Sequence, residues 1–251
     1  MLGSIKSLIE RATRRAEGDA IAGWARRAGY VHKREKDGDG FAIEGSFDGT
    51  PWRMEWGAPQ RRYIEGHELR MRMVLGVSPD LQMLLMTKAL KERLASEAFA
   101  LATQSNQTAL DDSVGEETRW LVVFPKVPLG ESQIVRSCYG LVANHRHEGI
   151  AWLEGPLAHA LERVRERAAA TWLSAQPPFL LMTLRGRLYL RLQLESADED
   201  DVAAALTLFG IAGAAARRVA RTHTPAADPG ATTWSSSTAW QTLPPEQKRP
   251  S

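Results

Sequence analysis

Phe41-Ala42-Ile43-Glu44-Gly45-Ser46-Phe47-Asp48-Gly49-Thr50-Pro51-Trp52-Arg53-Met54-Glu55-Trp56 is the stretch from which the fold is read. Phe41, Ile43, Gly45 and Phe47 alternate with Ala42, Glu44 and Ser46, and Trp52, Met54 and Trp56 alternate with Arg53 and Glu55. A period of two is that of strands with one buried face. Asp48-Gly49 between them tolerates the positive φ angles of a tight reversal, so the stretch predicts a β-hairpin. Its apolar residues share one face and its charges the other.

Outward from this hairpin, Leu69, Met71, Met73 and Leu75 alternate with Arg70, Arg72 and Val74, and a Val-Ser-Pro-Asp turn leads to an apolar run over 81–86. These add strands to a meander. Over 88–104, Leu90, Leu94, Ala98 and Leu101 recur at helical spacing, which predicts a helix laid on the sheet. In the second half, RWLVVF (119–124), 134–142 and 150–153 read as strands. Gly155-Pro156 reads as the start of a helix buried through Leu157, Leu161, Val164, Ala168 and Trp172, since proline suits a first helical position. A second hairpin follows over 179–194, turning at Arg185-Gly186. The last helix, 198–220, has Asp198 to Asp201 at its start and Arg217, Arg218 and Arg221 at its end, both complementing its dipole.

The predicted fold class is therefore α+β: mainly antiparallel sheet built from hairpins, with three or four packed helices. Hairpin connections disfavour a doubly wound parallel sheet, which needs a helix between most successive strands. The expected organisation is an N-terminal amphipathic helix (1–28), a first α+β half (29–110), a second (111–223) and a flexible tail (224–251). The polar, acidic stretch 105–118 is read as the connection between the halves. Both halves contain a hairpin and a later helix, so two similar subdomains are the expectation, without residue-level identity between them. The tail is rich in Pro, Ser, Thr and Gly and lacks an apolar period, so it buries too little surface to offset its ordering entropy.

Composition bounds the function classes. The 251 residues are 43% hydrophobic and 25% charged, with a net charge of +2. These values exclude a fibrous, wholly disordered or multi-span membrane chain. Arginine outnumbers lysine 25 to 7, but Glu and Asp are interleaved with it, which disfavours a polyanion partner. One cysteine, Cys138, leaves no intramolecular disulfide. No secretory signal is read at the N-terminus, so a cytoplasmic location is the expectation. The apolar run 202–216 would span about 22 Å as a helix against a hydrocarbon core of about 30 Å, which favours a core helix over a membrane span.

No phosphate loop, dinucleotide fingerprint, nucleophile elbow, HExxH or CxxC occurs in the sequence. Four candidates remain. Cys138, His145 and His147 form the metal candidate, because two histidines one residue apart on extended backbone point to one side, with Glu148 as a further donor. Asp37-Gly38-Asp39-Gly40 resembles the start of a calcium loop but lacks its later ligands. Arg53, Arg61, Arg62, Arg70 and Arg72, with Trp52, Trp56 and Tyr63 nearby, are the composition of a single-strand nucleic-acid surface. Against that, Trp52 and Trp56 alternate toward the core, and Glu44, Glu55, Glu65 and Glu68 are placed as counter-charges. Trp234 and Trp240 stand in a tail class normally poor in aromatics and form a candidate partner-binding motif. No cofactor is predicted.

The function expected is a non-enzymatic protein-interaction or binding module, acting on an unknown protein partner or another copy of itself. The alternative is an enzyme or a small-ligand or metal-binding protein using the Cys138, His145 and His147 region. Concavity discriminates: a deep pocket of converging polar groups favours the enzyme, and a flat apolar patch or unpaired strand favours the module.

Overall fold

The structure, a computed structural model, describes residues 17–35, 40–104, 115–166 and 177–222, without the side chains of 101–104 and 166. The tail with Trp234 and Trp240, the first turns of the N-terminal helix, Asp37 to Asp39, most of the acidic connection and Trp172 lie outside these residues.

The decisive hairpin forms as its sequence predicts. β2 (Phe41–Phe47) and β3 (Thr50–Gly57) pair antiparallel in a register that sets Phe41 against Trp56 and Phe47 against Thr50. Asp48 and Gly49 adopt φ of 48° and 76°. Two consecutive left-handed residues give the turn whose twist matches the flanking strands. The same chemistry closes β8 (Phe179–Leu184) on β9 (Arg187–Gln193), with Arg185 and Gly186 at 52° and 70°.

With β1 (Val31–Arg34), β4 (Glu68–Val74), β5 (Met83–Thr87), β6 (Lys126–Val127) and β7 (Tyr139–Ala143) these strands make one antiparallel sheet of order β1-β2-β3-β4-β9-β8-β5-β7-β6. The fold is α+β. Strands from before and after residue 110 interleave: β4 pairs with β9, and β5 lies between β8 and β7.

The two faces of the sheet differ. One buries Ile43, Trp52, Met54, Met71, Leu181 and Leu190 beneath α1 (17–27), α4 (Gln133–Cys138), α5 (Arg146–Leu153), α6 (Pro156–Glu166) and α7 (Glu199–Ala220). On the other, α2 (Lys88–Gln104) and α3 (Glu116–Val123) cover Leu84, Met86, Val142, Leu180 and Met182. Among the described residues no helix covers this second face over β1 to β4, where the charged positions of the alternation lie.

α7 runs 22 residues, about 33 Å at 1.5 Å per residue. It is long and apolar enough to cross a membrane, and 56% of its most apolar stretch is buried in the fold. Its packing is that of a core helix. Gly213 lets it approach Met73, Gly210 meets Phe47, and the fully buried Trp152 on α5 donates from Nε1 to Ala212 O at 3.0 Å. Asp198 caps it, accepting from the Asp200 and Asp201 amides.

Three segments expected to be strands are helical in whole or part. RWLVVF lies mostly in α3: Glu116 and Glu117 occupy its first turn, which favours a helix start, and Trp120 and Phe124 meet one turn apart with ring centroids 5.0 Å apart. A short apolar run carries no period that separates helix from strand. The segment 134–142 divides into α4, capped by Ser132 Oγ accepting from Val135 N at 3.2 Å, and β7. The segment 150–153 closes α5.

Candidate functional site

A concavity lies where α5 and α6 meet. The turn between them is set by Gly155, whose φ of 77° is open to glycine at little cost, and by Pro156 at the first position of α6. The loop 128–132, held by the Ser132 cap on α4, forms the opposite wall. The groove encloses about 230 Å³. Pro128, Leu129, Ile150, Leu153 and Ala158 supply its apolar lining, and Glu131, Glu154, Glu162 and His159 its polar rim. Among the described residues these three carboxylates make no ion pair, so the rim is acidic. A more open depression of about 500 Å³, lined by Pro156, Arg163 and Ile211, shares His159 and Glu162.

This volume lies below the roughly 300–1,000 Å³ usual for small-molecule pockets. It suits one large apolar side chain, and the carboxylates around it disfavour an anionic occupant. The C-terminus of α7 adjoins the groove: Arg218 Nη2 donates to Ala151 O at 2.9 Å and to Glu154 O at 3.3 Å. The chain therefore leaves α7 beside this rim.

The metal candidate takes a different form from the strand geometry expected of it. Cys138 ends α4, buried, with Sγ 3.5 Å from Ser137 Oγ. His145 is the half-buried residue preceding α5, and His147 is exposed in its first turn. A helix start replaces the extended backbone that would point both imidazoles one way. Among the described residues no group of three or more His, Cys, Asp or Glu is placed to hold a metal ion.

On the uncovered sheet face, the expected counter-charges Glu44, Glu55 and Glu68 are in place. Lys33 binds Glu44 at 2.9 Å, Arg53 binds Glu44 and Glu55, and Arg70 binds Glu55 at 2.9 Å, a chain of pairs across four strands. Burial pushes the Glu55 carboxyl up, but hydrogen bonds from Arg53 and Arg70 outweigh it and hold the group below its ordinary value. Lys33, then Arg53, hold Glu44 low against its slight burial. Trp52 and Trp56 are buried on the opposite face, as their alternation predicts. Arg62 and Glu65 are exposed in the loop after β3.

Deeper on this face lie pairs that the sequence did not reveal. Arg191, absent from the arginines singled out, is 1% exposed and pairs with the wholly buried Glu68. Glu117 accepts from Arg61 Nε at 2.7 Å and from Tyr63 OH at 3.0 Å. Burial, reinforced by Glu117, pushes the Tyr63 phenol well above its ordinary value. Glu117 was missed because it fell in the stretch 105–118 read as the connection between the halves, whereas it lies in the first turn of α3. The groove was missed because its walls come from α4 and α5, read in whole or part as strands; the Ser132 cap and Gly155-Pro156 were the signals available.

No protein-family model and no curated protein matches this sequence. Among solved structures it is similar to the mycobacterial trehalose monomycolate transport factor A, with 11% identity and a TM-score of 0.43, over 82% of this chain and 96% of that one.

Proposed function

We propose that this protein is a non-enzymatic protein-interaction module whose recognition site is the groove between the 128–132 loop, α5 and α6. The carrying observation is a concavity of single-side-chain size, apolar within and acidic at its rim. Its ligand is a short segment that inserts one aromatic side chain and bears no carboxylate nearby. The chain itself carries such a segment. Residues 229–245 hold Trp234 and Trp240 and no acidic residue, and Lys248 and Arg249 follow. About 12 residues separate Thr222 from Trp234, a reach of up to roughly 40 Å, and α7 ends at the groove's rim. The tryptophans are the partner-binding residues of this reading, occupying the groove until a partner segment of like chemistry displaces them.

Hydrogen–deuterium exchange on the full chain tests this. Replacing Trp234 and Trp240 by alanine is expected to speed amide exchange in the 128–132 loop and at the α5–α6 corner while leaving β2 and β3 unchanged. Identical exchange with and without the tryptophans contradicts it.

A further inference from the structure

On the other side of the sheet, at the start of α2, three lysines converge. Lys88 and Lys91 stand three apart in the first turn, a spacing that puts them on one face of the helix. Lys126 lies on β6 opposite Val142 of β7, so its side chain shares the face of Val142 and of Gly140 two residues away. Gly140 makes the floor. A Cβ built there would stand 2.5 Å from Lys91 Cδ and 3.2 Å from its Nζ, so the Lys91 stem lies across the bare backbone. Lys126 thus stands diagonal to Gly140, at about 7–8 Å between strand positions, on the face that the Lys91 stem crosses.

Of only seven lysines among 32 basic residues, three meet here from two separate segments. Elsewhere on the same face Lys33, Arg53, Arg61, Arg70 and Arg191 each pair with a carboxylate. Among the described residues Lys88, Lys91 and Lys126 form no ion pair or side-chain hydrogen bond. The first turn of α2 holds no acidic residue, so two cations stand at the positive end of the helix, against its dipole. The Lys91 ammonium is held below its ordinary value by burial and then by Lys126 and Lys88, with Glu92 acting weakly the other way. Cations gathered without a carboxylate among the described residues suit an anionic ligand, whose oxygens accept charge-assisted hydrogen bonds from them.

We infer that Lys88, Lys91 and Lys126, over Gly140, form a binding site for a phosphate group. Each ammonium donates to phosphate oxygens, and backbone N–H groups of the same helical turn add donors of the same sign. The site is independent of the groove, which lies on the opposite face.

The test is titration of the full chain with two probes, inorganic pyrophosphate and phosphatidylcholine vesicles containing phosphatidic acid. Binding of at least one probe is expected, weakening as salt rises. Lys91→Met, which keeps the stem over Gly140, should weaken it about tenfold or more, or about 1.4 kcal/mol, and Lys91→Arg should restore most of it. Pyrophosphate binding assigns a soluble ligand, and binding of the vesicles alone assigns a lipid headgroup. The thermal midpoint supplies a second readout. With no anion present, Lys91→Met should unfold at the same or a higher temperature than the unaltered chain, because it relieves repulsion. Binding of neither probe, binding indifferent to Lys91→Met, or a Lys91→Met midpoint lowered together with unchanged binding overturns the inference.

Discussion

The pair Arg191–Glu68 invites a double-mutant cycle. Both side chains are withdrawn from water, and Glu68 also accepts from the Gln60 amide at 2.6 Å, with Arg70 3.8 Å away. Glu68→Gln removes the charge but leaves an acceptor for the Gln60 amide, so its cost is that of the broken Arg191 pair with the longer Arg70 contact added. Stranding a buried guanidinium in this way costs about 3–5 kcal/mol, a large part of a typical total stability of about 5–15 kcal/mol. Arg191→Met should fall toward the lower end of that range, because Glu68 keeps the Gln60 amide and the nearby Arg70. The combined variant leaves no buried charge stranded by its partner and should lie within about 1–2 kcal/mol of the unaltered protein, since replacing a buried pair by neutral groups is often near neutral. Urea unfolding followed by tryptophan fluorescence gives each value from the midpoint and slope. The two single costs should exceed the combined cost by at least about 3 kcal/mol. Additive costs, or a Glu68→Gln variant within about 1 kcal/mol of the unaltered protein, would refute the reasoning.

Two further outcomes follow from the same sheet. Gly45→Ala should destabilise by about 1–3 kcal/mol, measured by thermal unfolding, because its Cβ would press on the rings of Trp52 and Tyr30, the latter at 2.8 Å, and neither can swing away as a flexible chain end would. Acid should weaken the sheet through Glu44 and Glu55, whose carboxyls are held low in the folded state. A depressed carboxyl contributes stability that is fully present above its unfolded value of about 4.3 and lost as pH falls through the lower folded value. Glu55→Gln should therefore flatten the stability profile below about pH 4.3; an unchanged acid limb in urea titrations at stepped pH counts against the assignment.

Legibility in the sequence followed local period and turn chemistry. Asp48-Gly49 and Arg185-Gly186 marked both hairpins because two-residue turns demand positive φ, and the α2 stripe of Leu90, Leu94 and Ala98 was visible because four turns establish a period. Short apolar runs such as Trp120 to Phe124 carry too few residues to distinguish two periods, and there Glu116, Glu117 and Ser132 were the deciding signals. The groove was hidden by helices read as strands, whereas the Arg191–Glu68 pair and the lysine cluster join segments far apart in the chain. Their formation depends on β9 inserting beside β4 and on β6 capping β7, which no local spacing encodes. The charge pairing across β2, β3 and β4 was legible because register carries Glu44 opposite Arg53 and Glu55 opposite Arg70 once the hairpin is fixed.

The occupancy of the α5–α6 groove is read most directly by fluorine NMR of the full chain labelled with 5-fluorotryptophan, with Trp234→Phe and Trp240→Phe assigning the two signals. A docked ring predicts that at least one of these resonances is displaced from its position in an isolated peptide of residues 224–251 and returns to it when Ala158→Arg fills the groove. Both resonances at their free-peptide positions in the unaltered protein, with no response to Ala158→Arg, would contradict the account.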